Sequence, residues 1–371
     1  MNRYIRYAAL IGSCLLVSAC EQGTAPAPST FIPTTTFVPA SSVKIDTRIA
    51  GLSWDPEAYF IALAGCQIDG SHVPMCRPCP VCDPFPPFLS EGLPMFSRAA
   101  VTGAAISAWD PITQATVGTP IAPAPNGFFE VEGVPSRADV PFFMFSSGEG
   151  TTNEPPLPPN GPGYPGPTIV PTTYFPTVSM RPINTMFSTC TSQESVVIGR
   201  NGVLEAVAKH LSENLSRPTV VADFMDPTRY HSVAVVVTHH AGNQALRAPA
   251  DGISLEGTQG EVYVLDWAPL PADTLRSARG FIVTNEATSP VGFNVVLMRA
   301  TNPRPEAITY KFNDTKTDSV SRRPWAFREL QIPPFAGMVT YIGAQAGYAP
   351  VDGIPRSSLG IPPYLCVPGV L

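Results

Sequence analysis

The sequence predicts a mainly β protein, with two β-sandwich domains in series and one short connecting helix. Only 14% of the residues are charged, which is too few for many long solvated helices. The 44 prolines and 29 glycines divide the chain into short pieces. Between those breaks, apolar and polar residues alternate in short runs, a pattern typical of half-buried strands.

The length of 371 residues and the hydrophobic fraction of 44% are sufficient for two packed cores. Composition and motif positions predict six consecutive segments. These are a signal peptide at 1–19, an acylated cysteine and tether at 20–44, a cysteine-rich segment with the first sandwich at 45–200, a connecting helix at 201–217, the second sandwich at 218–345 and a C-terminal tail at 346–371.

Residues 1–19 have the three parts of an export signal, which are a basic start, an apolar run and small residues before a cut site. The apolar run is too short to span a bilayer as a helix, which takes about 20 residues. The following motif, Val17-Ser18-Ala19-Cys20, resembles the bacterial lipobox. The resemblance implies that the Cys20 thiol carries diacylglycerol and that cleavage exposes an acylated amine. An ordinary signal peptide or a buried helix is the alternative.

A lipid anchor at Cys20 predicts a protein held on the bacterial cell envelope, since several acyl chains bind a bilayer durably. In lipoproteins of this type an Asp after the cysteine favours retention at the inner membrane. Glu21 stands there instead, and we therefore expect the outer membrane. Residues 21–44 are rich in Thr, Pro, Ala and Ser, which is typical of an extended or disordered tether.

Six further cysteines outside the signal region predict three disulfides, because an exported chain meets oxidising conditions. They are Cys66, Cys76, Cys79, Cys82, Cys190 and Cys366. Six cysteines allow 15 pairings, so the sequence does not fix the connectivity. A pair between Cys190 and Cys366 would pin the C-terminal tail. The alternative is a metal site at Cys76, Cys79, Cys82 and His72, because closely spaced thiolates and an imidazole suit zinc or copper.

The first half of the chain combines one short helix with strands. Asp55-Pro56-Glu57 followed by an apolar run to Ala64 predicts a capped helix, with an edge strand as the alternative. Alternation predicts strands at 101–110, 128–131, 140–145 and 177–187. Turns are expected at Asn126-Gly127 and at Gly133-Val134-Pro135.

Two motifs in this half resemble carboxypeptidase-regulatory-like domains, which are transthyretin-like β-sandwiches. One runs from Val101-Thr102-Gly103-Ala104 to Trp109-Asp110, and the other from Asn126-Gly127-Phe128-Phe129 to Gly133-Val134-Pro135. The resemblance covers about 50 residues and departs from the family pattern after Pro135. It implies a non-catalytic accessory or adhesion-type module and carries no active-site residue across.

The second half opens with the clearest helix, at 202–215, where Val203, Val207 and Leu211 form one apolar stripe. We expect Asn201 to cap it and its stripe to pack on a sheet. The run 233–238 is apolar on both faces and predicts a central strand. Further strands are predicted at 253–255, 261–266, 280–284, 292–299, 308–312, 327–332 and 338–342.

No catalytic motif stands out, and we expect neither an enzyme nor a cofactor. The formal net charge of −6, without a basic stripe, argues against nucleic-acid binding. The predicted role is a tethered structural or interaction module that contacts an envelope protein or a polysaccharide. A carbohydrate-binding lipoprotein is the main alternative, because exposed rings stack on sugars, and a metal-binding or hydrolytic protein is a distant one. The candidate rings for sugar stacking are Trp54, Trp109, Trp267 and Trp325.

Overall fold

The computed structural model describes most of the chain from residue 46 onward. The described residues are 46–64, 67–68, 74–75, 99–125, 127–148, 151–152, 172–186, 188–240, 252–256, 258–268, 273–314, 329–346 and 366. All of them belong to one compact unit. In this part of the chain, no helix is both long enough and apolar enough to cross a membrane.

The described elements are mostly strands, as the sequence predicts. In chain order they are β1 Asp46–Trp54, α1 Pro56–Ala64, β2 Gln67–Ile68, β3 Pro74–Met75, β4 Val101–Thr102, β5 Ile106–Asp110, β6 Ala115–Ile121, β7 Phe128–Pro135, β8 Phe142–Ser146, β9 Thr151–Thr152, β10 Tyr174–Phe175, β11 Thr177–Ile183, β12 Cys190–Val196, β13 Ile198–Gly199, α2 Val203–Glu213, a 3-10 helix Val221–Met225, β14 Tyr230–His240, β15 Ile253–Glu256, β16 Glu261–Trp267, β17 Phe281–Thr284, β18 Phe293–Arg299, β19 Ile308–Asp314, β20 Glu329–Ile332 and β21 Val339–Ala346.

The largest sheet has nine strands in the order β17-β16-β18-β14-β21-β11-β8-β5-β6. Four of these strands come from the predicted first sandwich and five from the second. Strand β21 joins the two sets, pairing in parallel with β14 on one side and with β11 on the other. The mainly β class is therefore confirmed. The division into two sandwiches in series is not, because one continuous sheet runs through both segments.

Strand β14 is central, as its sequence predicts. It pairs antiparallel with β18 and in parallel with β21, from Val233 opposite Val339 onward. Its side chains from Val233 to Thr238 are all buried. Because successive side chains point to opposite faces, Val233 and Val235 enter one core and Ala234 and Val236 enter another. A strand buried on both faces must be apolar at every position, which explains the valine run.

The two helices cover one face of the large sheet. The carboxylate of Asp55 accepts the backbone N–H groups of Glu57 and Ala58 at 2.9 and 3.1 Å, which caps α1 as the sequence predicts. Helix α2 buries its apolar stripe in the same core as the odd-numbered valines of β14. The predicted cap on α2 is wrong. The residue at the cap position is Gly202 and not Asn201, and glycine has no side chain that could cap the helix.

Two smaller sheets complete the packing. The sheet β15-β19-β20 and the opposite face of the large sheet share a core that includes Tyr310 and Phe312. The sheet β12-β1-β7 contributes Ile49 and Phe129 to a third core, with β5 and β8 on the other side. Both arrangements place sheet on sheet, as in a sandwich.

The strand boundaries differ from prediction at a few turns. The expected strand 101–110 is split into β4 and β5, because Gly103 adopts a positive φ of 79° and turns the chain. The predicted turn at 133–135 lies inside β7, whose last residues Val134 and Pro135 pair with the start of β1. The predicted strand at 140–145 begins only at Phe142. The extension of β7 depends on pairing with β1, which the local sequence does not show.

Candidate functional site

Most of the residues predicted to carry chemistry lie outside the described part of the chain. This applies to the lipidation site Cys20 and to the cysteine-rich segment with its candidate ligands Cys66, His72, Cys76, Cys79 and Cys82. Among the described residues, no group of three His, Cys, Asp or Glu side chains is arranged to hold a metal ion. The predictions at those positions stay predictions.

The structure contains the Cys190–Cys366 disulfide, with the two Cα atoms 5.7 Å apart across 176 residues of sequence. Cys190 is the first residue of β12, one of the two outer strands of the sheet β12-β1-β7. Arg48 of β1 lies opposite Cys190 and donates a hydrogen bond of 3.3 Å to the Cys366 carbonyl oxygen. The same guanidinium pairs with Glu130 of β7 at 2.8 Å. All three strands of the sheet therefore help to hold Cys366.

Four polar side chains, Asp55, Glu57, Arg279 and Tyr174, form a buried cluster. The Arg279 Nη1 donates to Asp55 Oδ2 at 2.6 Å and to Glu57 Oε2 at 2.8 Å. Tyr174 donates its hydroxyl to Asp55 Oδ2 at 3.1 Å. The side chains of Asp55, Glu57 and Arg279 are 0% exposed, so water does not screen these ion pairs.

Glu57 also takes over the cap that Asn201 was expected to provide. Its Oε1 accepts the backbone N–H of Val203, the first residue of α2, at 2.8 Å. A side chain at Gly202 would overlap the Glu57 carboxylate, and glycine is therefore required at this close approach. A carboxylate in the first turn of one helix thus caps another helix 146 residues away.

Burial and charge oppose each other within the buried cluster. Burial raises the pKa of Glu57 to about 7, and the Arg279 guanidinium limits this rise. Burial also raises the pKa of the Tyr174 hydroxyl, and the Asp55 carboxylate adds to the effect. Raised acid pKa values are common at active sites, but burial also raises the pKa of acids that serve the structure alone. Here the groups are sealed among α1, β10, α2 and the loop before β17, and a substrate cannot reach them without opening the fold.

Sequence reasoning missed this buried cluster apart from the Asp55 cap. Arg279 lies 222 residues from Glu57, and the sequence near either residue gives no sign of the pairing. One signal was present: Asp55 and Glu57 stand within an otherwise apolar stretch, and buried acids need a cationic partner. That signal predicts a partner but does not identify it.

An uncharged and partly exposed surface lies at one edge of the large sheet, in residues 111–125, which we call the edge ribbon. It contains the turn after β5, strand β6 and the segment that follows, and none of its 15 residues is charged. Strand β6 pairs with β5 on one side and is the last strand of the sheet. Ile112 is 60% exposed and Ile121 is 40% exposed.

Backbone geometry holds the edge ribbon in place. Gln114 has a positive φ of 52° at the tight turn into β6, and Gly118 has a φ of 80°. Gly118 lies against Val131 and Glu132 of β7, so closely that a Cβ there would be 2.7 Å from Val131 Cγ1. The chain therefore bends at Gly118 and rests on β7, while both isoleucines stay exposed. Edge strands usually carry charges that discourage pairing, and this one carries none.

The described tryptophans lie mainly in the cores. Trp54 is 0% exposed and donates its indole N–H to Glu194 at 2.9 Å. Trp109 is 7% exposed and its ring contacts Phe145. Trp267 is half-buried, with its ring 4.5 Å from that of Phe281. Trp325 lies outside the described residues. Trp54 and Trp109 are therefore packing residues, and neither forms a sugar-stacking surface.

No family model matches the chain, and no curated protein matches it either. The resemblance to carboxypeptidase-regulatory-like domains thus stays a prediction. Weak similarity to solved structures includes the following two. A streptococcal ancillary pilin is 10% identical with a TM-score of 0.15, covering 81% of this chain and 62% of the pilin. A candidate cell adhesion protein from Parabacteroides distasonis is 9% identical with a TM-score of 0.16, covering 82% of this chain and 90% of that one. Likenesses at these scores carry no argument about function.

Proposed function

We propose that this protein is a non-catalytic lipoprotein of the bacterial cell envelope, a tethered β module that binds another envelope protein. The single observation that carries the interaction role is the edge ribbon. A run of 15 uncharged residues stands at a sheet edge with two isoleucines exposed. Exposed apolar surface at an uncharged edge favours association, because binding removes it from water.

Two observations support the location. The lipobox-like Val17-Ser18-Ala19-Cys20 predicts a lipid anchor, and the sequence that follows it is rich in proline, as is typical of a tether. The Cys190–Cys366 disulfide fits an oxidising compartment, since cytoplasmic thiols are kept reduced. With Glu21 after Cys20, the proposed destination is the outer membrane.

The buried cluster supports the non-catalytic part of the proposal. Burial explains the raised pKa of Glu57, and the bonds of Glu57 and Asp55 to Arg279 and Val203 join α1, α2 and the loop before β17. Because all three charged members are fully buried, loss of any one of them would leave an unpaired charge inside the fold.

Replacing Cys20 tests the anchor. We expect Cys20→Ser to move the protein from the membrane fraction to the soluble fraction, or to stop its processing. Mass spectrometry of the wild-type mature protein should show an acylated amino terminus at Cys20. An unmodified amino terminus, with normal membrane association of the variant, contradicts lipid anchoring.

Site-specific photo-crosslinking in intact cells tests the interaction role. A photoreactive residue at position 112 should capture one defined envelope protein. The matched control is position 220, where Val220 is 64% exposed but lies outside the edge ribbon. Equal crosslinking from both positions contradicts a specific role for the ribbon. Enrichment of polysaccharide in place of protein would favour the carbohydrate-binding alternative.

A further inference from the structure

The turn that carries Ile112 lies at the same end of the large sheet as a second exposed turn, which follows β11. Strands β11, β8, β5 and β6 are consecutive neighbours in that sheet. At this end, Ile183 of β11 pairs with Phe142 of β8, and Asp110 of β5 pairs with Ala115 of β6. Neighbouring strands lie about 4.8 Å apart, so the end of β11 and the start of β6 are separated by roughly 15 Å.

Each of the two turns exposes a large apolar side chain. Ile112 is 60% exposed in the turn before β6, and Met186 is 45% exposed in the turn after β11. The sequence around Met186 contains no charged residue from 182 to 193, and the edge ribbon that carries Ile112 is uncharged as well. An uncharged surface with exposed apolar side chains favours burial against an apolar protein surface over binding to phosphate groups, which need cations.

Arg137 connects the two turns through hydrogen bonds. Its Nη1 and Nη2 donate to the two carboxylate oxygens of Asp110 at 2.9 and 3.0 Å. Asp110 Oδ1 also accepts the backbone N–H of Ile112 at 2.9 Å. On the other side, the backbone N–H of Arg137 donates at 3.1 Å to Thr185 Oγ1, in the residue before Met186. Because a guanidinium with two bonds to one carboxylate is fixed in orientation, these contacts limit the movement of the turns relative to each other.

We infer that Ile112 and Met186 belong to one binding surface for an uncharged, apolar patch of the envelope protein, and that Arg137 positions the two turns. The inference rests on the proposed function, because it adds a second contact to the site that the edge ribbon supplies. The side chain of Arg137 is only 19% exposed and is paired with Asp110, so it acts through the turns and not by touching the partner. A surface that is held in place before binding loses less conformational entropy on association.

Reciprocal photo-crosslinking in intact cells tests whether the two turns form one surface. A photoreactive residue at position 186 should capture the same protein as one at position 112. Met186→Asp should lower capture from position 112 about tenfold or more, and Ile112→Asp should do the same to capture from position 186, because each puts a charge into the shared interface. Val220→Asp is the matched control, since Val220 is 64% exposed but lies in neither turn, and it should leave both captures unchanged.

Arg137→Lys tests the positioning role, because lysine keeps the positive charge but lacks the fork that bonds both carboxylate oxygens. It should lower capture from positions 112 and 186 about threefold or more. Backbone hydrogen exchange at Ile112 should rise roughly tenfold, while the central strand β14 stays protected. Asp139→Asn is the matched control, because it removes a carboxylate 3.9 Å from Arg137 Nε and leaves the bonds to Asp110 intact. It should change neither measurement.

The outcomes separate this inference from the proposed function. Capture from position 112 with no capture from 186, or with capture of a different protein there, overturns the joint surface and leaves the proposed function standing. Capture from neither position overturns both. Normal capture by a folded Arg137→Lys variant overturns the positioning role. Unfolding of that variant, measured by circular dichroism, also overturns it, because Arg137 then supports the whole fold and not two turns.

Discussion

The buried cluster and the edge ribbon differ in which side chains they bury and which they expose. The first takes two carboxylates and a guanidinium fully out of water, while the second leaves isoleucines exposed. Each arrangement costs free energy on its own. The charges of the buried cluster offset one another through hydrogen bonds within the chain, whereas burial of the ribbon's apolar surface needs a partner from outside.

The two regions therefore differ in what their unusual residues contribute. In the buried cluster, the raised pKa values of Glu57 and Tyr174 reflect the burial of side chains that help to join α1, α2 and the loop before β17. The exposed apolar side chains of the ribbon contribute little to that structure. Changes in the buried cluster should therefore alter stability, and changes in the ribbon should alter binding.

The largest expected effect follows from Arg279→Met. The substitution leaves Asp55 and Glu57 buried without their cation, which typically costs about 3–5 kcal/mol. Denaturant unfolding followed by circular dichroism measures the loss. The matched control is Arg217→Met, which removes a half-exposed ion pair with Glu261 and should cost less than about 1 kcal/mol. Equal losses in the two variants would show that the buried cluster does not hold the fold together.

A smaller effect concerns pH. Burial raises the pKa of Glu57 from 4.5 to about 7. Between these values the folded protein keeps a proton that the unfolded chain has released. This contribution to stability is therefore complete below pH 4.5 and is lost as the pH rises to about 7. We expect a loss on the order of 1–3 kcal/mol across that window.

Glu57→Gln isolates this contribution, because the amide does not titrate. The wild-type free energy of unfolding should fall relative to that of the variant as the pH rises between 5 and 8. Urea unfolding at several pH values provides the comparison. If the two profiles run parallel, the carboxyl does not titrate in this window in the folded protein.

Local sequence was enough to predict most of the strands and both helices. The valine run of β14 and the apolar stripe of α2 encode burial directly, and Asp55 encodes the start of α1. These features depend on residues within one element, which is why periodicity and capping rules find them.

Connections between distant segments could not be predicted in the same way. The parallel pairing of β21 with both β11 and β14 merges two expected sandwiches into one sheet. The Glu57 cap on Val203 and the Arg279 pairs likewise join residues far apart in the chain. The Cys190–Cys366 disulfide was one possibility that the sequence suggested, but six cysteines left the connectivity open.

The smallest expected effect on stability follows from Ile112→Asp in the edge ribbon. Because Ile112 is 60% exposed, the change should alter the free energy of unfolding by less than about 0.5 kcal/mol. It should nevertheless abolish capture of the envelope partner by a photoreactive residue placed at exposed Ile121, since a charge disfavours both burial and strand pairing at an edge. Ile112→Ala is the matched control and should only weaken capture. If the aspartate variant binds normally, the partner contacts a different surface. If it unfolds instead, Ile112 supports the fold and the contrast between the two regions fails.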